Sequence, residues 1–175
     1  MNTSLVLTLI GADRPGLVES VAQIVAGRGG NWLESRMARL GGQFAGIARV
    51  EVATVQEPGL RAALAALESQ GLKVVVTQDP AGAAAVQQGR AVKLELVGQD
   101  RPGIVHQVSH VLATHRVNVE DLRTECVEAP MAGGTLFRAE AELLVPAAAD
   151  MAAIRGDLEK IAADLMVDLR FAEAK

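Results

Sequence analysis

The sequence predicts an α+β fold built from two tandem β-α-β-β-α-β units, and three observations carry that expectation. The stretch Leu9-Ile10-Gly11-Ala12-Asp13-Arg14-Pro15-Gly16-Leu17-Val18 recurs as Leu96-Val97-Gly98-Gln99-Asp100-Arg101-Pro102-Gly103-Ile104-Val105, an offset of 87 from Gly11 to Gly98. Each copy follows alternating apolar residues and opens a helical stripe, so each reads as a strand, a tight turn and a helix start. The match holds without a gap from Leu5 against Val92 to Arg36 against Arg123, the mark of an internal duplication of a split β-α-β unit.

Leu5, Leu7 and Leu9 share one face of the first strand, with Val6, Thr8 and Ile10 on the other. After the turn, Leu17, Val18, Val21, Ile24 and Val25 make the apolar stripe of a helix lying on a sheet, stopped by Gly27, Gly29 and Gly30. Asn31 starts a second strand to about Leu40, Gly41-Gly42 makes a hairpin, and a third strand runs from about Phe44 to Val55 with Ala48, Val50 and Val52 inward. Pro58 opens a second helix carrying Leu60, Ala63, Leu64 and Leu67, ended by Gly71. Leu72, Val74 and Val76 make the fourth strand.

Asp79 to Arg90, rich in Ala, Gly and Gln, reads as a linker, so residues 1–79 form one unit, 80–90 the connection and 91–175 the other. Val92, Leu94 and Leu96 repeat the first strand; Ile104, Val105, Val108, Val111 and Leu112 repeat the first helix stripe. Past Arg123 the halves drift, because residues 128–134 make a longer connection than Gly41-Gly42. Phe137, Ala139, Ala141 and Leu143 then share a strand face, Met151, Ile154, Leu158 and Ile161 a helix stripe, and Leu165, Val167, Leu169 and Phe171 the last strand.

The repeated turn is where function is expected. Gly11 and Gly98 let the backbone swing out of the strand, Asp13 and Asp100 can cap free amides, and Pro15 and Pro102 suit a first helical turn because they lack an N–H. Gly16 and Gly103 leave room above the amides, so a ligand carboxylate can approach the helix N-terminus. The same pattern also serves as a well-capped structural turn, and duplication would repeat either.

Composition excludes other classes. A net charge of −4 and a pI near 5.4 oppose a nucleic-acid surface. The aromatic residues, Trp32, Phe44, Phe137 and Phe171, offer no stacking platform for bases. The lone Cys126 has no local base or orienting partner and reads as a strand or loop thiol. Ser4 to Ile10 is too short for a secretory leader and no apolar run reaches membrane-span length, so a soluble cytoplasmic protein is expected.

A unit of this size with a strand followed by Gly-x-Asp-Arg-Pro-Gly-Leu/Ile-Val, and an Asn opening the second strand, resembles the ACT domain, an amino-acid-sensing module of metabolic regulation. The tandem arrangement, with Asn31-Trp32-Leu33-Glu34-Ser35-Arg36 and Leu40-Gly41-Gly42-Gln43-Phe44, resembles the glycine cleavage system transcriptional repressor family. The resemblance implies ferredoxin-like units whose antiparallel sheets pack side by side, homodimerisation, and effector sites at junctions between units. It implies that turn amides hold the ligand carboxylate, across Gly11, Ala12, Asp13, Arg14, Pro15, Gly16 and Leu17 or Gly98, Gln99, Asp100, Arg101, Pro102, Gly103 and Ile104. Asp13, Asn31, Asp100 and Asn118 are the polar side chains implied for the amine. Val119 in place of Trp32 makes the two sites unequal.

Several positions keep two readings. Arg14 and Arg101 either clamp a carboxylate or face solvent beside the cap. Asn31 and Asn118 either touch ligand or supply a left-handed residue before the strand. His106 and His110 stand at i, i+4 but lack a metalloprotease pattern, so no metal or other cofactor is expected. With no nucleophile set, carboxylate pair or phosphate loop, an enzyme is not expected. The leading expectation is a non-catalytic regulator that binds a small, glycine-like amino acid and contacts a protein partner such as a transcription factor. A stand-alone sensor subunit of a metabolic enzyme and an oligomerisation scaffold without ligand are the alternatives.

Overall fold

A computed structural model describes residues 1–79, 89–128 and 134–173. The chain divides into two compact units, Met1–Ala85 and Val86–Lys175. The expected linker falls largely on residues 80–88, which lie outside the described residues, as do residues 129–133 of the longer hairpin connection.

The first unit runs β1 (Asn2–Ala12), α1 (Leu17–Gly27), β2 (Asn31–Leu40), β3 (Gln43–Ala53), α2 (Glu57–Ala65) and β4 (Leu72–Gln78). The second runs β5 (Gly89–Gln99), α3 (Ile104–Thr114), β6 (Asn118–Glu128), β7 (Thr135–Pro146), α4 (Met151–Leu165) and β8 (Val167–Glu173). Each makes a four-stranded sheet, antiparallel at every pairing, in the orders β2-β3-β1-β4 and β6-β7-β5-β8. This is the ferredoxin-like α+β architecture that the sequence predicts, twice over. Even the irregularity repeats: β2 slips register between Trp32 and Glu34, and β6 between Val119 and Asp121.

Alternation decides which face of each sheet the helices cover. Leu5, Leu7 and Leu9 of β1 and Ala48, Val50 and Val52 of β3 point inward and are buried against Leu17, Val21 and Val25 of α1 and Leu60 and Leu64 of α2. Val92, Leu94 and Leu96 do the same in the second unit, beneath Ile104, Val108 and Leu112 of α3 and Ile154 and Leu158 of α4. Each fully buried Leu or Ile contributes about 1.5–3 kcal/mol over leaving it in water. These periodic side chains therefore set the register of both sheets, since a one-residue slip would turn a whole strand's apolar set to solvent.

Several boundaries differ from expectation for local reasons. Val18 and Val105 sit at the edge of the helix stripe and are exposed rather than buried. β3 stops at Ala53, and Thr54–Gln56 form a 3₁₀ turn into α2. The second helix tightens into a 3₁₀ segment, Ala66–Gln70, before left-handed Gly71 ends it. Leu165 belongs to the last turn of α4, not to the final strand, because Met166 at φ 53 breaks between them.

Candidate functional site

β1 and β5 each run straight into the repeated turn, and the structure reassigns what its residues do there. Gly11 and Gly98 lie inside the strands, paired with Leu72 and Val167 of the neighbouring strands. A Cβ on Gly11 would collide with the Gly71 carbonyl oxygen, and one on Gly98 with Val167 Cγ1. These glycines permit close strand approach rather than an unusual backbone angle. The left-handed positions are Gly16 (φ 89) and Gly103 (φ 96), where an L side chain would be strained.

Those two glycines are the N-caps of α1 and α3, so Pro15 and Pro102 stand in the turn before the helix, not in its first turn. Ala12 ends β1, Gln99 ends β5, and Leu17 and Ile104 are the first residues of the helices and are buried. Asp13 does not cap: its N–H donates to Gly42 O at 2.9 Å, pinning the hairpin to the turn, while its carboxylate lies 3.6 Å from Arg39 Nη1. Asp100 N–H likewise donates to Thr135 O at 2.9 Å.

Neither α1 nor α3 has a side-chain cap. The first-turn amides of a helix have no intrahelical partner, so an uncapped N-terminus offers free donors at the positive end of the dipole. α4 is the contrast within this molecule: Asp150 accepts from Ala152 N at 2.9 Å and Ala153 N at 3.1 Å and fills its own N-terminus.

Each arginine also makes a hydrogen bond that the sequence does not announce. Arg14 Nη2 donates to Gln70 O at 3.0 Å, and Arg101 Nη2 donates to Leu165 O. Each ties the turn to a carbonyl at the end of its unit's second helical segment, where unpaired carbonyls carry the negative dipole end. The turn is held on one side by the hairpin and on the other by a helix terminus.

The two turns differ in what lies over the left-handed glycine. A Cβ placed on Gly16 would stand 4.0 Å from Glu19 Oε2, whereas one on Gly103 would stand 3.8 Å from Gln107 Nε2. An acid overhangs the first turn and an amide donor the second. Periodicity could not reveal this, since it requires knowing where the helix begins.

Asn31 and Asn118 are exposed first residues of β2 and β6 with extended, not left-handed, backbone. Asn118 Nδ2 donates to Glu120 Oε1. Neither lies beside its own unit's turn. Asn31 is level with Glu51 and thus with Ser4, while the turn begins at Ala12; eight residues of strand separate the two, about 27 Å. Asn118 is likewise level with Ala91 and far from Gln99. α1 and α3 carry the chain back along the sheet, which makes this separation unavoidable.

Elsewhere, His106 and His110 hold their ring centroids 6.4 Å apart, and no group of three potential metal ligands occurs among the described residues. Cys126 is an exposed thiol on β6. Under α3, an apolar cavity of about 50 Å³ is lined by Leu94, Ile104, Leu112, Val119 and Phe137, among others. In the first unit Trp32 takes the place of Val119 and packs against the core. No helix among the described residues is long and apolar enough to cross a membrane.

A split β-α-β unit, doubled, with a glycine-started first helix in each copy, defines a tandem ferredoxin-like protein. The chain belongs to the ACT domain family, whose model matches residues 3–77 and 92–172. No curated protein matches it. An unknown protein from Galdieria sulphuraria is 29% identical over 100% of both chains, with a TM-score of 0.84. A protein solved as a putative glycine cleavage system transcriptional repressor is 18% identical over 100% of this chain and 99% of its own, with a TM-score of 0.71, a likeness of fold.

Proposed function

We propose that this chain is a non-catalytic regulatory protein that binds a small amino acid at its turns and acts by contacting a protein partner in the transcriptional control of amino-acid metabolism. It works as a homodimer. The observation that carries the reading is the pair of helices that start from left-handed Gly16 and Gly103 with no side-chain cap; α4 is capped by Asp150, and α2, also without a side-chain cap, continues directly from a 3₁₀ turn. Two such termini, each behind a rigidly tethered turn, are suited to a ligand carboxylate. ACT domains over residues 3–77 and 92–172, and the fold shared with a protein solved as a putative glycine cleavage system transcriptional repressor, support the regulatory role.

The second turn is the stronger carboxylate site. Gln107 presents an N–H donor there, whereas in the first turn a ligand carboxylate must displace the Glu19 carboxylate. Asp13 and Asn31 lie at opposite ends of one sheet, so one small ligand does not touch both residues of the same unit, and the four polar residues are tested singly.

Calorimetry with glycine tests this directly on the wild type and on Asp100→Ala, Asn118→Ala, Asp13→Ala and Asn31→Ala, with circular dichroism as the folding control. Each loss of a polar contact is expected to weaken binding at its site by about 1–3 kcal/mol, roughly 5- to 150-fold. Glu19→Gln is expected to tighten the first site. Unchanged affinity in all four alanine variants removes the site assignment; failure of the wild type to bind any of the twenty amino acids leaves the scaffold reading.

A further inference from the structure

The outward face of the first sheet is apolar at its centre. Thr8 of β1 lies between Ile47 of β3 and Val75 of β4, with Val6 and Ile10 beside it on β1. Ile10, Ile47 and Val75 are 50%, 55% and 48% exposed. At the matching positions the second sheet carries Glu95, Glu140 and Arg170, a surface made for water. An exposed apolar patch on one of two otherwise matching sheets marks a contact surface.

The charges around that patch are sorted along the strands. Glu34 stands level with Val6, and Glu51 and Asp79 level with Ser4. Arg49 is engaged among these acids, 3.4 Å from Glu34 and 3.8 Å from Asp79. Arg36 and Lys73 lie toward the other end, level with Thr8 and Ile10. The half of the face toward Ser4 is therefore net acidic, three acids to one arginine, and the half toward Ile10 is basic.

The geometry points to a second copy of this chain as the occupant, two first sheets stacking face to face about a two-fold axis that runs across the strands. Such an axis reverses strand direction, so the basic end of each face meets the acidic end of the other and the apolar centre meets itself. With the axis between the Val6 and Thr8 rows, Arg36 faces Glu34 and Lys73 faces Asp79 of the other copy. Any other partner would need this arrangement by coincidence; a second copy has it by symmetry. Four strands about 4.8 Å apart and about 27 Å long offer roughly 500 Å² per copy, near 1,000 Å² in all, the size at which a specific interface begins. This assignment rests on the homodimer reading above and names its surface.

Light scattering at micromolar concentration tests both. The wild type is expected at twice the 18.3 kDa chain mass. Ile47→Glu is expected at the single-chain mass, while Val97→Glu, on the outward face of the second sheet, leaves the dimer intact. Arg36→Glu is expected to raise the dimer dissociation constant about tenfold or more, and adding Glu34→Arg to restore it. Circular dichroism checks that each variant folds, and the exposed charge pair carries the test should Ile47→Glu fail to. A monomeric wild type overturns the homodimer and this surface together. A dimer indifferent to Ile47→Glu and Arg36→Glu overturns the surface alone.

Discussion

Two units with one backbone plan differ at three places that chemistry rather than topology chose. Beside the first helix, Trp32 packs against the core of one unit, where its counterpart Val119 lines an apolar cavity in the other. Over the turn, Glu19 overhangs one left-handed glycine and Gln107 the other. On the outward sheet face, Thr8, Ile47 and Val75 oppose Glu95, Glu140 and Arg170. The strand order, the bulge and the arginine tether to the second helix are common to both. Inward positions and tethers hold a fold together and tolerate little change, whereas outward and rim positions are free to acquire separate tasks.

The largest expected effect tests the packing difference. Leu7 and Leu94 hold the same place on the first strand of each unit, but Leu94 lines the cavity beneath α3. Leu7→Ala is expected to cost about 3–5 kcal/mol and Leu94→Ala closer to 2–3, because Leu94 already lacks some neighbours. Calorimetry, with hydrogen exchange to assign each transition to its unit, reads the two losses separately. Equal losses would mean that the cavity does not weaken the second core.

A smaller effect concerns the tethers. Arg101 donates to Leu165 from a partly buried position, whereas the Arg14 bond to Gln70 is exposed. A charge-assisted bond shielded from water is worth more, so Arg101→Ala is expected to cost about 1.5–3 kcal/mol and Arg14→Ala about 1. Urea midpoints of the two variants check the order. A larger loss for Arg14→Ala would place the first turn, not the second, under the tighter constraint.

The smallest effect is a pH dependence of the second unit. Hydrogen bonds from Lys160 and His115 hold the Asp157 carboxyl below its ordinary value. The folded state thus binds that proton less readily than the unfolded state, so the contribution is present at neutral pH and is lost as pH falls below the ordinary aspartate value toward the lowered one. Acid titration of the second unit's melting point is expected to show this slope weakly, and Asp157→Asn to abolish it. Added salt should flatten it, since the group is solvent-exposed.

The duplication, the element order and the inward residues were legible because periodicity survives without a partner: alternate strand positions and helix stripes are local records of burial. Leu5, Leu7, Leu9, Leu60 and Leu64 are all buried where that periodicity places them. The turn was visible as a motif but not as a mechanism. Asp13 and Pro15 look like a cap and a first-turn proline, yet the helix starts two residues later because left-handed Gly16 is the cap. The role of Arg14 depends on Gln70, 56 residues away, which no local pattern connects to it.

By itself, the sequence determined two βαββαβ units, their inward faces, and the place of the turn, because hydrophobic burial imposes a period that the chain must carry in its own order. Tertiary structure alone decided that Asn31 and the turn lie at opposite ends of a sheet, that Gly11 and Gly98 make room for a neighbouring strand, and that the first sheet's open face is net acidic toward Ser4 and basic toward Ile10. Those are relations between strands brought together from far apart in the chain, and antiparallel registration sets them only once every strand has found its neighbour.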